Sequence, residues 1–512
     1  MTKAAQYFLI LSLASILAGC AAGPNYKTPS TTMPSSFGIS SSTPPATASA
    51  TTQPVEICVW WKSFGDPELD SLVDRAIAAN FDLQIALIRL QEARTAEVVV
   101  EGGALPEIDS SGGLAGGTGS NSTKGRVGAP LNAATNTAGL KEITQVVGFD
   151  AGWELDIWGR YRREIEAARD DTQTAAEARN AVLITVVSDV ARAYMNARSL
   201  QMRLKIAQDN IKIEQDTVQV VQERYDRGLT NELDLALALR QLATLESEIA
   251  PLTVEITTSR RQLAVLLGEY PEELRAELKQ PMELPRLPRR IDTGLPVDLL
   301  RRRPDIREAE RNLAANTALV GAQIASLFPN VALTAGAGLQ GQGLGVTPAG
   351  NSFIWSAGPT GYWPLLDFGA LDAQIDIQNL KTREALINYR KTIVEAVEEV
   401  EDAISAYSAE QDRLEDLYTA LVASQRAVTL ANQRYNRGLT DFLNVTDAER
   451  QLYEIQDAYA VAQENVVVEY ISIYKSLGGG WETYQKIPDI RKPQPAIVAT
   501  VREVISTDDP QK

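Results

Sequence analysis

The sequence contains no histidine and only two cysteines among its 512 residues. Without histidine there is no Ser-His-Asp or Cys-His catalytic relay, and no histidine ligand for zinc or haem. No side chain with an ordinary pKa titrates near neutrality either. These absences weigh against hydrolases and metalloenzymes, so we expect no enzyme activity, no catalytic residues, no metal site and no cofactor other than a covalent lipid.

The chain is also short of positive charge, with 49 Lys and Arg against 66 Asp and Glu and a net charge of −17. A general nucleic-acid-binding protein needs a basic surface to displace counterions from phosphates, so we expect no nucleic-acid partner. Hydrophobic residues make up 44% of the chain and charged residues 22%, which is typical of a folded protein.

The N-terminus has the pattern of a signal peptide over residues 1–19. Lys3 is the only charged residue before an apolar run at 7–18 that is too short to cross a bilayer. The run ends in Leu-Ala-Gly-Cys, which resembles the lipobox of bacterial lipoproteins. The resemblance implies that Cys20 carries a lipid, and Ala21, where an aspartate would favour the inner membrane, implies the outer membrane.

Residues 20–55 are rich in Ser, Thr, Pro and Ala and carry almost no charge. This composition cannot bury a core and predicts an extended tether between the lipid and the folded body. The body is expected to begin at Trp60 and Trp61. With Cys20 lipidated, Cys58 has no partner for a disulfide within the mature chain.

The body repeats itself. Seven of eleven positions are identical between the segments starting at Arg224 and Arg434, an offset of 434 − 224 = 210 residues. A unit of this length is far longer than a solenoid repeat, so the pattern indicates a tandem duplication. We expect a first copy at 56–285, a second at 286–480 and a C-terminal tail at 481–512.

Each copy contains a long heptad stripe of apolar residues. The first runs from Val186 to Tyr225 and is interrupted at Glu214, and the second runs from Val400 to Tyr435. These stripes predict helices at about 159–227 and 369–437, each roughly 100 Å long. The simplest interpretation of such a stripe is a coiled-coil core. Gly228 and Gly438 are expected to end the helices as left-handed caps, which makes each shared motif the tip of a helical hairpin.

Four segments lack helical periodicity and are rich in Gly, Thr, Ser, Val and aromatic residues, namely 107–117, 143–155, 330–341 and 353–366. They predict two β-hairpins, at 107–155 and 330–366. Their length suits tilted membrane strands, and aromatic residues suitable for a membrane interface are Trp153, Trp158, Trp355, Tyr362 and Trp363. Two soluble surface hairpins are the alternative.

Four membrane strands cannot close a barrel, and an open sheet edge in lipid leaves backbone groups without hydrogen bonds. Several protomers would therefore have to share one barrel. A trimer would supply 3 × 4 = 12 strands, which lies within the range of known membrane barrels.

Several motifs resemble the outer membrane factor family, the TolC-like efflux channels, and most closely its NodT-type lipoprotein branch. The motifs are Gly23-Pro24-Asn25-Tyr26, Trp60-Trp61, Leu300-Arg301-Arg302-Arg303-Pro304-Asp305-Ile306 and the doubled Tyr-x-x-Gly-Leu-Thr tip.

The resemblance implies a mainly α fold with a membrane β part, in which a homotrimeric 12-stranded barrel continues into a long periplasmic α-helical barrel. Shorter helices, at about 66–102 with 231–267 and at 298–327 with 441–477, would stack beside the long ones. The protein would be a passive conduit in the outer membrane, in contact with lipid and extending into the periplasm. It would be fed by an inner-membrane pump of the RND type through a periplasmic adaptor.

The resemblance also implies a gate at the periplasmic tip. Leu443 and Asp447 would form the narrowest rings, with Asp234 contributing from the first hairpin. Converging carboxylates repel one another, so they are expected to need either a counter-ion or pairing with Arg227 or Arg437. The turns at Gly228 and Leu229 and at Gly438 and Leu439 would contact the adaptor, which is compatible with their role as helix caps.

Two other interpretations remain open at this stage. Asp447 could be an ordinary exposed helical aspartate. The whole chain could be a coiled-coil lipoprotein that braces the periplasm without a pore.

Overall fold

The computed structural model describes residues 21–31, 33–34, 37, 48–49, 57–116, 143–272, 278, 282–289, 291–292, 296–342 and 353–484. Cys20, the predicted signal peptide, most of the predicted tether and the tail beyond residue 484 lie outside the described residues. The chain divides into two compact units. Unit 1 holds residues 1–30, 89–176 and 308–391, and unit 2 holds 31–88, 177–307 and 392–512.

Helices account for most of the described residues. In chain order they are α1 (Pro67–Ala79), α2 (Phe81–Gly103), α3 (Arg160–Asp226), α4 (Glu232–Ser247), α5 (Ile249–Leu266), α6 (Pro304–Ala325), α7 (Ala370–Asn436) and α8 (Phe442–Ser476). Short helical turns at Trp60–Phe64 and Leu299–Arg302 precede α1 and α6.

The two long helices, α3 and α7, each contain 67 residues, and their starts are 370 − 160 = 210 residues apart. At 1.5 Å per residue each is about 100 Å long. Both agree with the sequence prediction to within one residue at each end, because a long heptad stripe and a terminal glycine define such a helix.

The shorter helices are less continuous than predicted. The helix expected at 66–102 breaks at Asn80, whose side chain accepts from the Leu83 amide and donates to the Leu266 carbonyl at 2.8 Å. The helix expected at 298–327 breaks at Arg303, because the residue before a proline is disfavoured in helical conformation. The helix expected at 231–267 breaks at Glu248, which separates α4 from α5.

Four strands of unit 1 form one antiparallel sheet, and a separate two-residue parallel pairing of Ala48–Ser49 with Ile291–Asp292 lies in unit 2. The four strands are β1 (Glu107–Gly116), β2 (Ile143–Glu154), β3 (Asn330–Gln342) and β4 (Phe353–Tyr362), in the order β1-β2-β3-β4. Two of the hairpin pairings are Glu107 opposite Gly152 and Asn330 opposite Tyr362. β4 ends four residues earlier than predicted, at Tyr362, two residues before Pro364.

An aromatic cluster near the N-terminal end of the folded body lies in unit 2. Trp60, Trp61 and Phe64 are buried, and Trp60 stacks on Tyr474 of α8 with ring centroids 5.7 Å apart. Phe64 contacts Tyr470 at 5.5 Å. This cluster packs the start of the folded body against the C-terminal part of α8. The tryptophan pair was expected to begin the body.

Candidate functional site

The turns that follow the two long helices have the same backbone structure. Gly228 and Gly438 both have φ of 69°. The Leu229 amide donates to the Arg224 carbonyl at 2.8 Å, and Leu439 makes the equivalent bond in the second turn. This is the Schellman arrangement, which needs glycine at the left-handed position. Leu229 and Leu439 are about two-thirds exposed, so the chain itself leaves both turns uncovered.

An apolar cluster joins the two hairpin tips within unit 2. Its buried members are Val221 of α3, Ala238 of α4, Tyr435 of α7, and Phe442 and Val445 of α8. The rings of Tyr435 and Phe442 lie 5.3 Å apart. The two tips therefore pack as one body.

The three predicted gate residues lie at the start of α4 and α8. Leu443 is 59% exposed and is not covered by the chain's own residues. Asp447 is exposed and accepts from Arg450 at 2.7 Å. Asp234 accepts a hydrogen bond from the Thr230 hydroxyl. A ring of three such residues requires three copies of the chain, so their role as a gate stays a prediction.

The two arginines expected to pair with the gate carboxylates do not do so within one chain. Arg227 lies 3.6 Å from Glu223 of its own helix. Arg437 has no ion-pair partner among the described residues. Arg450 instead holds Asp447, and it also contacts Glu454 at 2.8 Å. Sequence reasoning missed Arg450, although its position three residues after Asp447 places it on the same helix face.

Two carboxyl groups higher in the same hairpins, the buried Glu214 and the half-buried Glu449, were also missed. Glu214 of α3 is 3% exposed, and its Oε1 has no hydrogen-bond partner among the described residues. Burial and the nearby charge of Glu449 raise the pKa of Glu214 to about 8. The interruption of the first heptad stripe was the signal that could have identified it.

The segment that follows Cys20 is held against unit 1. The Ala22 amide donates to the Trp158 carbonyl at 2.9 Å. Arg163 donates to the carbonyl of Ala22 at 3.0 Å and to Asn25 Oδ1 at 2.7 Å. Gly321 of α6 permits this approach, because a Cβ there would lie 2.6 Å from the Ala22 oxygen. Residue 21 is thereby fixed beside the junction between β2 and α3.

Tryptophans gather where the strands meet the helices. The Trp153, Trp158 and Trp363 indole N–H groups donate to the carbonyls of Ala104, Pro329 and Leu327, respectively. Trp158 also stacks on Phe328 at 4.6 Å. The indole N–H groups are thus hydrogen-bonded, while much of the ring surface of Trp158 and Trp363 stays exposed. Aromatic residues at a membrane interface have this arrangement.

Within the described ranges, no three His, Cys, Asp or Glu side chains are placed so that they could hold a metal ion. None of the helices in this part of the chain is both long and apolar enough to cross a membrane.

The family model described as outer membrane efflux protein matches residues 72–269 and 295–479. The chain belongs to this family. The predicted family resemblance is therefore confirmed, and the two matched segments fall within the two predicted copies.

Three relatives of this outer membrane efflux protein illustrate the family. Nodulation protein T of Rhizobium leguminosarum bv. trifolii is 28% identical over 92% of this chain and 97% of its own length. The cation efflux system protein CusC of Escherichia coli K12 is 29% identical over 91% and 98%. The solved outer-membrane channel OprN is 33% identical, with a TM-score of 0.79 over 90% of this chain and 100% of that one.

These relatives confirm the predicted function of an outer-membrane efflux channel. Transport through an efflux protein is a non-enzymatic task, in keeping with the absence of histidine from the whole sequence. The mostly helical fold with a small four-stranded sheet is that of the solved channels.

Proposed function

We propose that this efflux protein is a homotrimeric conduit in the outer membrane that receives its cargo from an inner-membrane pump, of the RND type, through a periplasmic adaptor. The observation that carries the proposal is the four-stranded sheet, both of whose edges, β1 and β4, are left unpaired by the described part of the chain. In lipid such edges must be paired, and further copies of the chain offer matching edges. Three copies give 3 × 4 = 12 strands.

The internal duplication determines which residues would face one another between copies. Adding 223 to a residue of β1 and 210 to a residue of β2 converts the pair Glu107 and Gly152 into Asn330 and Tyr362, which is an observed pair. The two hairpins therefore have the same register. β2 pairs with β3 through Gly152 opposite Thr334. The same offsets turn Gly152 of β2 into Tyr362 of β4, and Thr334 of β3 into Ser111 of β1. Because β4 and β1 are the two edges of the sheet, Tyr362 of one copy would lie opposite Ser111 of the next.

Cysteine cross-linking tests this assembly. We expect the double variant Tyr362→Cys/Ser111→Cys to form covalent dimers and trimers under mild oxidation, because opposite residues in antiparallel strands have Cβ atoms about 5 Å apart. The product is read on a denaturing gel. Each single variant serves as a control, and Tyr362→Cys/Asp109→Cys tests a register shifted by two residues.

Cross-linking of the shifted pair alone would show that the register is wrong. Failure of both pairs would argue against a shared barrel and would favour the poreless periplasmic brace. Ion conductance of the purified protein in a planar bilayer separates a conduit from a brace directly. The cargo is not encoded in these features, since named relatives include cation, toluene and antibiotic efflux proteins.

We also propose that Cys20 is lipidated and that the docked segment after it places the lipid at the membrane interface. The support is the hydrogen bonding of Ala22 to Trp158 and Arg163, next to the exposed tryptophans.

Mass spectrometry of the mature N-terminal peptide tests the anchor. We expect the wild-type peptide to begin at Cys20 and to carry acyl chains, and Cys20→Ser to lose this mass entirely, because only the thiol can form the thioether. Cys58→Ser is the matched control and should keep the lipid. A mature peptide that starts elsewhere, or that lacks acyl chains in the wild type, would rule out the anchor.

For the tip, we propose that Leu443, Asp447 and Asp234 line the periplasmic gate. The turns at Gly228 and Leu229 and at Gly438 and Leu439 would meet the adaptor. The support is their position together at the joined hairpin tips and the exposure of Leu443, Leu229 and Leu439.

A further inference from the structure

Glu214 occupies a core position of the first long helix. It lies seven residues after Ala207 and seven before Val221, both of which are buried in apolar clusters. A carboxylate at such a position costs stability unless it is neutralised or paired with a cation. The position 210 residues later, in the second long helix, is Ser424, so the carboxyl group belongs to one hairpin only.

A second carboxyl group lies near enough to Glu214 for its charge to act on it. Glu449 of α8 is the one charged residue, among those described, whose charge acts on Glu214. Each has one buried oxygen without a hydrogen-bond partner, Oε1 of Glu214 and Oε2 of Glu449. Asn432 of α7 donates to the other oxygen of Glu449 at 3.2 Å.

Among the described residues, no cation of the neighbouring helices forms an ion pair with either carboxyl group. Most charged residues of the same stretches of α3, α4, α7 and α8 are exposed; they are Lys212, Asp216, Arg240, Glu246, Arg426, Arg434, Arg450 and Glu454. Arg224 of α3 is half-buried, and its guanidinium lies over the ring of Tyr435 at 4.7 Å. Two carboxyl groups whose charges act on one another, and which are at least partly buried, do not both ionise readily.

We propose that Glu214 and Glu449 form a proton-binding site that holds the two hairpins of a protomer together, so that loss of the proton loosens the hairpin tips. With one proton bound, the pair is closer to neutral and fits between the apolar clusters. Without it, two negative charges on α3 and α8 repel one another and draw water into the stem. The site would make the lower part of the conduit sensitive to the pH of the periplasm.

The sign of the pH effect follows from the raised pKa of Glu214, about 8 compared with its ordinary value of 4.5. Between these values the folded chain keeps a proton that the unfolded chain has lost. Stability is therefore highest at the acid end of this range and falls as the pH rises through it. The same direction applies to Glu449, whose pKa burial also raises.

Infrared spectroscopy of the purified protein tests proton binding without relying on conduction. We expect the wild type to show a protonated-carboxyl band at neutral pH that disappears with a midpoint near pH 8. Glu214→Gln should lose this band, and Glu223→Gln, at an exposed position of the same helix, should keep it. A wild-type protein with no such band at neutral pH would overturn the proposal.

Single-channel conductance tests the consequence for gating, which rests on the proposed conduit. We expect wild-type conductance to increase severalfold from about pH 6 to about pH 9, and Glu214→Gln to stay low and independent of pH. Equal pH dependence in both proteins would overturn the link to the tip. If Glu214→Gln does not assemble, Glu449→Gln should still show the transition, shifted to lower pH because the repelling charge is gone; an unshifted transition would refute the pair.

Discussion

Replacing Asp447 with alanine is expected to raise the single-channel conductance severalfold and to reduce the preference for cations. In the proposed trimer three Asp447 carboxylates crowd the axis at the tip, beside three exposed Leu443 side chains. Each carboxylate is held by Arg450 of its own helix at 2.7 Å, which fixes its position. Removing the carboxylates widens the ring and abolishes the local negative charge that favours cations. Conductance and reversal potential in a planar bilayer measure both effects.

Asp416→Ala is the matched control for this experiment, because Asp416 is an exposed aspartate on α7, far from the tip in sequence. It should leave conductance unchanged. Arg450→Ala should give an intermediate effect, since it frees the carboxylate without removing it. If Asp447→Ala conducts as poorly as the wild type, Asp447 is an ordinary exposed residue and the constriction lies elsewhere.

The long helices and the hairpin tips could be predicted from the sequence, because each depends on local signals that are repeated. The heptad stripes define α3 and α7, and Gly228 and Gly438 end them with the same left-handed cap. The ends of the strands could be predicted less well, since β4 stops at Tyr362 and not at residue 366 as expected. Residues before and after that stop have similar composition, so composition alone could not place it.

The break at Arg303 has a local cause in Pro304, but the break at Asn80 also depends on a tertiary contact that no local pattern records. Asn80 interrupts the first of the shorter helices by bonding to the carbonyl of Leu266, which is 186 residues away in the chain. Glu214 was visible as an interruption in the stripe, but its partner Glu449 comes from another helix, and only the fold brings the two together. The proposed gate differs again, because its residues would meet only between copies of the chain.

The Arg-Arg-Pro-Asp motif identified the family from the sequence, and the fold supplies a structural role for its second arginine. Arg303 is 7% exposed and stands between the single turn and α6. Its guanidinium donates to Asp305 at 2.6 Å and 3.0 Å, and to Glu399 of α7 at 2.7 Å. It also donates to the carbonyl of Ser476, the last residue of α8, at 2.9 Å.

Arg303 thus connects the start of α6, α7 and the end of α8 at one point. The carbonyl of Ser476 belongs to the last turn of its helix, where carbonyl groups have no partner within the helix. Gly478 packs closely against Arg303, since a Cβ at position 478 would lie 3.1 Å from Arg303 Cα. A shorter side chain at 303 would leave the carboxylates and the helix end without their common donor.

Arg303→Ala is therefore expected to lower the free energy of unfolding by about 3 kcal/mol, the lower end of the range for breaking a buried ion pair, because both carboxylate partners are partly exposed. Thermal unfolding of the purified protein measures the loss. Arg303→Lys should recover only part of it, because an ammonium group cannot make the forked contact with Asp305. Arg301→Ala, an exposed arginine of the same motif, should change little. Equal effects at the two positions would show that the motif acts through net charge and not through the contacts of Arg303.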